Sequence, residues 1–145
     1  MARARRGFPV RLNGARGAAL LVAGAYCFAR GVAYLPILGE VPSSLPAGLE
    51  LISAVISIEV WAGIWMIVGV GCCLRAFSTA DAVAWGLLTG IMTAWGGAYA
   101  LGWVIAIANG EPSREWLNMS TYLGPAIIIA ILSIQRARKG SADAP

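Results

Sequence analysis

Long apolar blocks alternate with short polar links along this chain. Four blocks, at about 17–38, 49–74, 82–108 and 116–134, are each about long enough to cross the roughly 30 Å hydrocarbon core of a bilayer as a helix. The links carry the breakers. Pro42 and Pro46 punctuate residues 39–48, a short polar turn covers 75–81, and Glu-Pro-Ser-Arg-Glu covers 111–115. The pattern predicts an all-α membrane protein with four transmembrane helices in an antiparallel bundle. Residues 1–16 form a basic arm, 17–135 the membrane domain and 136–145 a basic, polar tail.

The third block is the most uniform, with no charged side chain from Ala82 through Gly110. Small residues recur every fourth position at Ala82, Gly86, Gly90, Ala94, Ala98, Gly102, Ala106 and Gly110. Spacing of this kind, including a GxxxG at Gly86 and Gly90, lets a second helix approach closely. Four residues turn a helix by about 400°, so the ribbon winds around its axis and a partner following it crosses obliquely. Gly86, Gly90, Ala94, Ala98 and Gly102 are the predicted packing positions.

Composition agrees with the membrane reading. Hydrophobic residues make up 59% of the 145 positions and charged residues 12%, about half the charged share of a soluble domain. The net charge of +4 does not point to nucleic acid, because the basic residues gather at the ends of the apolar blocks. Five arginines precede the first block, Arg75 lies in the second link, and Arg136, Arg138 and Lys139 follow the last block. The first link has no basic residue, and the third has Arg114 alone between two glutamates. The positive-inside rule then places both termini in the cytoplasm.

Candidate chemistry is sparse. Histidine is absent, and with it the commonest general base and metal ligand. Cys27, Cys72 and Cys73 lie in or beside apolar blocks, without zinc-ligand spacing, and read as packing residues. No nucleophile–base pair, phosphate loop, metal cluster or cofactor motif is present, so no enzyme is expected. Arg30 and Glu59 are the sharpest pair. On continuous helices they fall about 12 and 15 Å from the same membrane face, which predicts an intramembrane ion pair. Such a pair either fixes helix register or lines an ion-responsive path, the alternative being that Arg30 snorkels outward along its neighbours. Pro125 cannot donate to the Thr121 carbonyl, so with Gly124 beside it a kink is expected in the fourth helix. Trp61, Trp65 and Trp95 lie deeper than an interfacial belt and either pack between helices or line a pocket.

The run Trp95-Gly96-x-x-Tyr99-x-x-Gly102-Trp103, followed by Gly110 to Leu117 and Tyr122, resembles small membrane proteins encoded by phages of actinobacteria. The resemblance covers about the C-terminal third. It implies a holin-like lysis protein that accumulates in the host cytoplasmic membrane, self-associates and permeabilises it. Holins share no catalytic residues, so no site is carried over. Two other classes compete: an accessory subunit of a larger membrane complex, and a small ion or drug transporter. The expected partners are the bilayer and a second copy or another membrane protein.

Overall fold

The computed structural model describes residues 11–36 and 45–142, the last eight of them as backbone only. Five helices and no strands are present among the described residues: α1 (Gly14–Ala33), α2 (Ala47–Ser53), α3 (Ile58–Arg75), α4 (Ala82–Ala108) and α5 (Glu115–Ala142). Three stretches are long and apolar enough to cross a membrane, namely Ile58–Arg75, Ala82–Ala108 and Glu115–Ile134. The chain is thus a candidate multi-pass membrane protein. Its outer surface fits that environment, with Val22, Ile67, Leu74, Val83 and Ile128 among many large apolar side chains that face outward.

Three expected boundaries change, the first being that of α1, which ends at Ala33 and not at residue 38. The second apolar block is not one helix, because the chain leaves helical geometry at Ala54–Ser57. The β-branched pair Val55 and Ile56 weakens the helix there, and Ser57 adopts extended backbone angles at the N-cap of α3. The fourth helix runs past residue 134 to Ala142, into the stretch expected to be tail. The first block does form a helix, but α1 is not among the three candidate spans. It carries Arg16 and Arg30 and is less apolar on average than α3 or α4. The expected arm at residues 1–10 and most of the first link lie outside the described residues.

Packing is organised in two antiparallel pairs, α1 with α3 and α4 with α5, while α2 rests on α4. The first pair is set by small residues in seven-residue steps. Gly17, Gly24 and Gly31 on α1 meet Ala76, Gly69 and Ala62 on α3. A Cβ on Gly24 would lie 3.1 Å from the Gly69 carbonyl oxygen, and one on Gly31 would lie 2.9 Å from that of Ala62. Leu20 and Cys27 on α1, with Ile58, Trp65 and Cys72 on α3, occupy the alternate seam positions and are buried. A seam with a seven-residue repeat on both helices is the pattern of close, coiled-coil-like packing. Without water in a bilayer core, such close backbone approach is what drives helices together.

The second pair uses different contacts. A Cβ on Gly96 would lie 2.6 Å from Leu123 Cγ, and Gly102 sits under the Glu115 carboxylate with the Gly48 backbone nitrogen beside it. Gly48 in turn lies against the Ala98 carbonyl. Gly110, at φ +73°, ends α4. Its N–H bonds to Ile107 at 3.0 Å and the Glu111 N–H to Ala106 at 2.9 Å, the two bonds of a Schellman turn.

Gly24→Val should weaken the α1–α3 pair by about 1–3 kcal/mol, the usual cost of overpacking a filled core. Gly63→Ala, at a position with nothing within 4 Å of the new methyl group, should not destabilise the fold. Thermal unfolding in detergent reads both; equal melting temperatures for Gly24→Val and the parent chain would contradict the seam.

Candidate functional site

The two pairs meet through rings. Residues spaced by four bring one face of each helix to the seam: Tyr26, Arg30 and Tyr34 from α1 and its C-cap, Trp61 and Trp65 from α3, and Trp95 and Tyr99 from α4. Tyr122 enters from α5. Trp95 is central, with ring centroids 5.7 Å from Trp65, 5.4 Å from Trp61 and 5.6 Å from Tyr34. Trp65 reaches Tyr26 at 6.0 Å and Tyr122 at 6.2 Å, and Tyr122 stacks on Tyr99 at 5.7 Å. Most of these contacts are tilted or edge-to-face, the arrangement that ring quadrupoles favour. Trp65 and Trp95 are 0% exposed and Tyr122 is 1% exposed, so the seam is filled.

Arg30 is half-buried against this frame. Its guanidinium carbon sits 4.9 Å from the Tyr122 ring centroid and 6.0 Å from that of Tyr34, a cation held over ring faces. Its Nε is buried without a hydrogen-bond partner, as are the indole nitrogens of Trp61, Trp65 and Trp95, the Tyr122 hydroxyl and one carboxylate oxygen of Glu115. Arg30 and Glu115 both act electrostatically on Tyr99, so Glu115 belongs to the same neighbourhood.

The expected pair of Arg30 with Glu59 does not form. Among the described residues the one ion pair is Arg16 with Asp81. The break before α3 explains the difference. Glu59 stands in the first turn of a new helix and is exposed there, where the N-terminal end of the helix dipole favours a carboxylate. It is not ten residues deep on a continuous span.

The Arg16–Asp81 pair closes the other end of the bundle. Arg16 Nε donates to Asp81 Oδ2 at 2.8 Å and Nη2 donates to Oδ1 at 3.0 Å, a bidentate contact. The Trp85 indole N–H also donates to Asp81 at 3.2 Å, and the Arg16 guanidinium lies 5.4 Å from the Trp85 ring centroid. Asp81 is 2% exposed. Asn13 adds backbone and side-chain bonds to Ala76 and Ser78, both at 3.0 Å, so the start of α1 is tied to the end of α3.

The ribbon on α4 divides. Ala98, Gly102 and Ala106 are buried inside the chain, whereas Gly86, Gly90 and Ala94 are exposed. Nothing lies within 4 Å of a Cβ placed on Gly86 or Gly90. These two glycines, with Thr89, Ala130 and Ser133, line a groove of about 820 Å³ headed by Arg16 and Asp81.

On α5, Pro125 lies inside a helix that continues through it, with Gly124 in open space. The Ser120 and Thr121 hydroxyls both donate to the Leu117 carbonyl, at 2.8 and 2.9 Å, and not to the carbonyl that proline frees. Cys27, Cys72 and Cys73 are free thiols that pack in the α1–α3 seam. Two features escaped the sequence reading. One is the seven-residue spacing of Gly17, Gly24 and Gly31 against Ala62, Gly69 and Ala76. The other is the four-residue spacing of the rings around Arg30. Both repeats are visible in the sequence once it is searched at those periods.

Comparisons with protein-family models, curated proteins and solved structures find no match to this chain. Its class therefore rests on fold and composition: an all-α chain with three candidate membrane spans, two tight helix pairs and a basic, ring-lined seam between them.

Asp81→Ala should lower the unfolding free energy by about 1.5–3 kcal/mol, the range for hydrogen bonds to a charged group. Arg16→Gln should cost at least as much, because it takes the bidentate guanidinium from a buried carboxylate, whereas Arg16, 40% exposed, can turn to water when Asp81 is removed. A double-mutant cycle measured by unfolding should show strong non-additivity. Simple addition of the two losses would contradict a coupled pair.

Proposed function

We propose that this chain is a four-span protein of a bacterial cytoplasmic membrane that works by self-association, in the manner of a holin. In this reading α1, the broken α2–α3 segment, α4 and α5 each cross the bilayer, and both termini face the cytoplasm. The observation that carries it is the bare half of α4. Gly86, Gly90 and Ala94 are exposed, and a Cβ on either glycine would meet nothing within 4 Å, while the other half of the same ribbon is used inside the chain. The winding follows from the four-residue spacing, and the outward half offers the close-approach surface that small residues give a partner helix.

The filled seam bears on the mode of action. Trp65, Trp95 and Tyr122 occupy the centre of a single bundle, so a lesion would open between copies and not through one. The likeness to small phage membrane proteins in Trp95–Trp103 and Gly110–Tyr122 supports the lysis reading. The reading assigns no catalytic step and no cofactor.

Inducible expression in a bacterial host, followed with a voltage-sensitive dye, tests this. The expected result is a delayed, abrupt collapse of membrane potential, which Gly86→Ile with Gly90→Ile prevents while reducing cross-linked oligomers. A Cβ at either position has nothing within 4 Å and the rest of each side chain projects into the groove, so the bundle should stay folded. A stable potential with intact self-association would overturn the lysis reading in favour of an accessory subunit. Unchanged oligomers in the double variant would overturn the α4 face itself.

A further inference from the structure

We propose that a cleft between α1, α4 and α5 holds an acyl chain of an anionic phospholipid whose phosphate meets Arg16. The cleft exists because α1 packs on α3 and α5 on α4, while α1 and α5 do not pack as a pair. Ala15, Ala19 and Ala23, each one helical turn from the next on α1, line it with methyl groups only. Leu88 of α4 and Ile129 of α5 add to the wall around about 450 Å³. An adjoining space of about 250 Å³, sharing Ala19, Trp85 and Ile129, carries the cleft to Arg16 and Ser133.

The length suits one leaflet. From Arg16 to Tyr26, the deepest α1 residue on the wall, the helix advances about 15 Å, half of the roughly 30 Å hydrocarbon core. Arg16 and Ser133 stand at one end and apolar side chains follow. The Thr121 hydroxyl at the far end is already spent on the Leu117 carbonyl. Charge selects the headgroup. Arg16 uses two of its five N–H groups on Asp81 and is 40% exposed, so three remain to donate outward. Arg11, Arg75, Arg136, Arg138 and Lys139 lie at the same end of the helices, where Asp81 is the only acid among the described residues. Basic residues gathered in this way attract anionic headgroups. A zwitterionic headgroup would bring its own cation among them. Gly86 and Gly90 do not line this cleft, so it is distinct from the self-association face. The inference rests on the four-span reading, with α1 in the bilayer and the Arg16 end cytoplasmic, and not on lysis.

Trp85 lines the cleft and is the one tryptophan near the Arg16 end, so it reports the occupant. The full chain is reconstituted in phosphatidylcholine vesicles containing, as a minor component, phosphatidylglycerol brominated on its acyl chains. Tryptophan quenching should reach a plateau as that fraction rises. Brominated phosphatidylcholine at the same fractions should give only the gradual quenching of general bilayer contact. Ala19→Phe, at an exposed position whose new ring fills the cleft, should remove the plateau and leave the helix pairs intact. Arg16→Gln should raise the midpoint about fivefold, the factor that one basic residue at an anionic surface supplies. Equal quenching by the two lipids would overturn the proposal, and if weak would leave a second copy of the chain as the occupant. A plateau unchanged in Ala19→Phe would also overturn it, showing attraction to the basic surface without a site. Protein that neither floats with the vesicles nor is quenched by either lipid would overturn the membrane reading beneath the proposal.

Discussion

Close backbone approach between α1 and α3 is the contact on which the rest of this structure depends. Three glycines spaced by seven on one helix face an alanine, a glycine and an alanine spaced by seven on the other. In a bilayer, where water cannot drive apolar helices together, dispersion between closely packed backbones would do so. A side chain at Gly24 or Gly31 would separate the helices and undo contacts along their length. The bonds from Asn13 to Ala76 and Ser78, and the Arg16–Asp81 pair, then fix the register at one end.

The large residues follow from the small ones. Where α1 and α3 are drawn together by glycine and alanine, their bulky side chains are displaced toward the second pair. Trp61 and Trp65 therefore meet Trp95 and Tyr122 there, with Tyr26 against Trp65. Arg30 is carried into the same layer because it lies four residues after Tyr26 and four before Tyr34. Its environment of ring faces and donor groups is thus a consequence of helix phase. The proposed function uses what this packing leaves over, the exposed stretch of α4.

Much of this was legible in the sequence, for physical reasons that can be named. Helix existence followed from uncharged apolar runs such as Ala82–Ala108, where a bilayer leaves few alternatives to a helix. The winding of the ribbon around α4 followed from the roughly 400° advance of every four residues, but all five of its positions read alike as packing positions, and which half turns inward did not follow. The break at Ala54–Ser57 was not visible as loss of hydropathy, because Val55 and Ile56 are as apolar as their neighbours. It was encoded by β-branching and by Ser57 before Glu59, a weaker signal. That break moved Glu59 to a helix start and removed it as a partner for Arg30. The ring frame was hidden for another reason: tryptophan and tyrosine in an apolar block do not reveal which neighbours they touch until the helix pairs are known.

Electron-spin distance measurements between α1 and α3 in liposomes test the central packing most directly. Labels at the exposed positions Ala18 and Leu74 should lie close together, and labels at Ala18 and Val60 about 15 Å farther apart, as an antiparallel pair in this register requires. Equal distances, or the reverse order, would contradict the glycine seam and everything arranged around it.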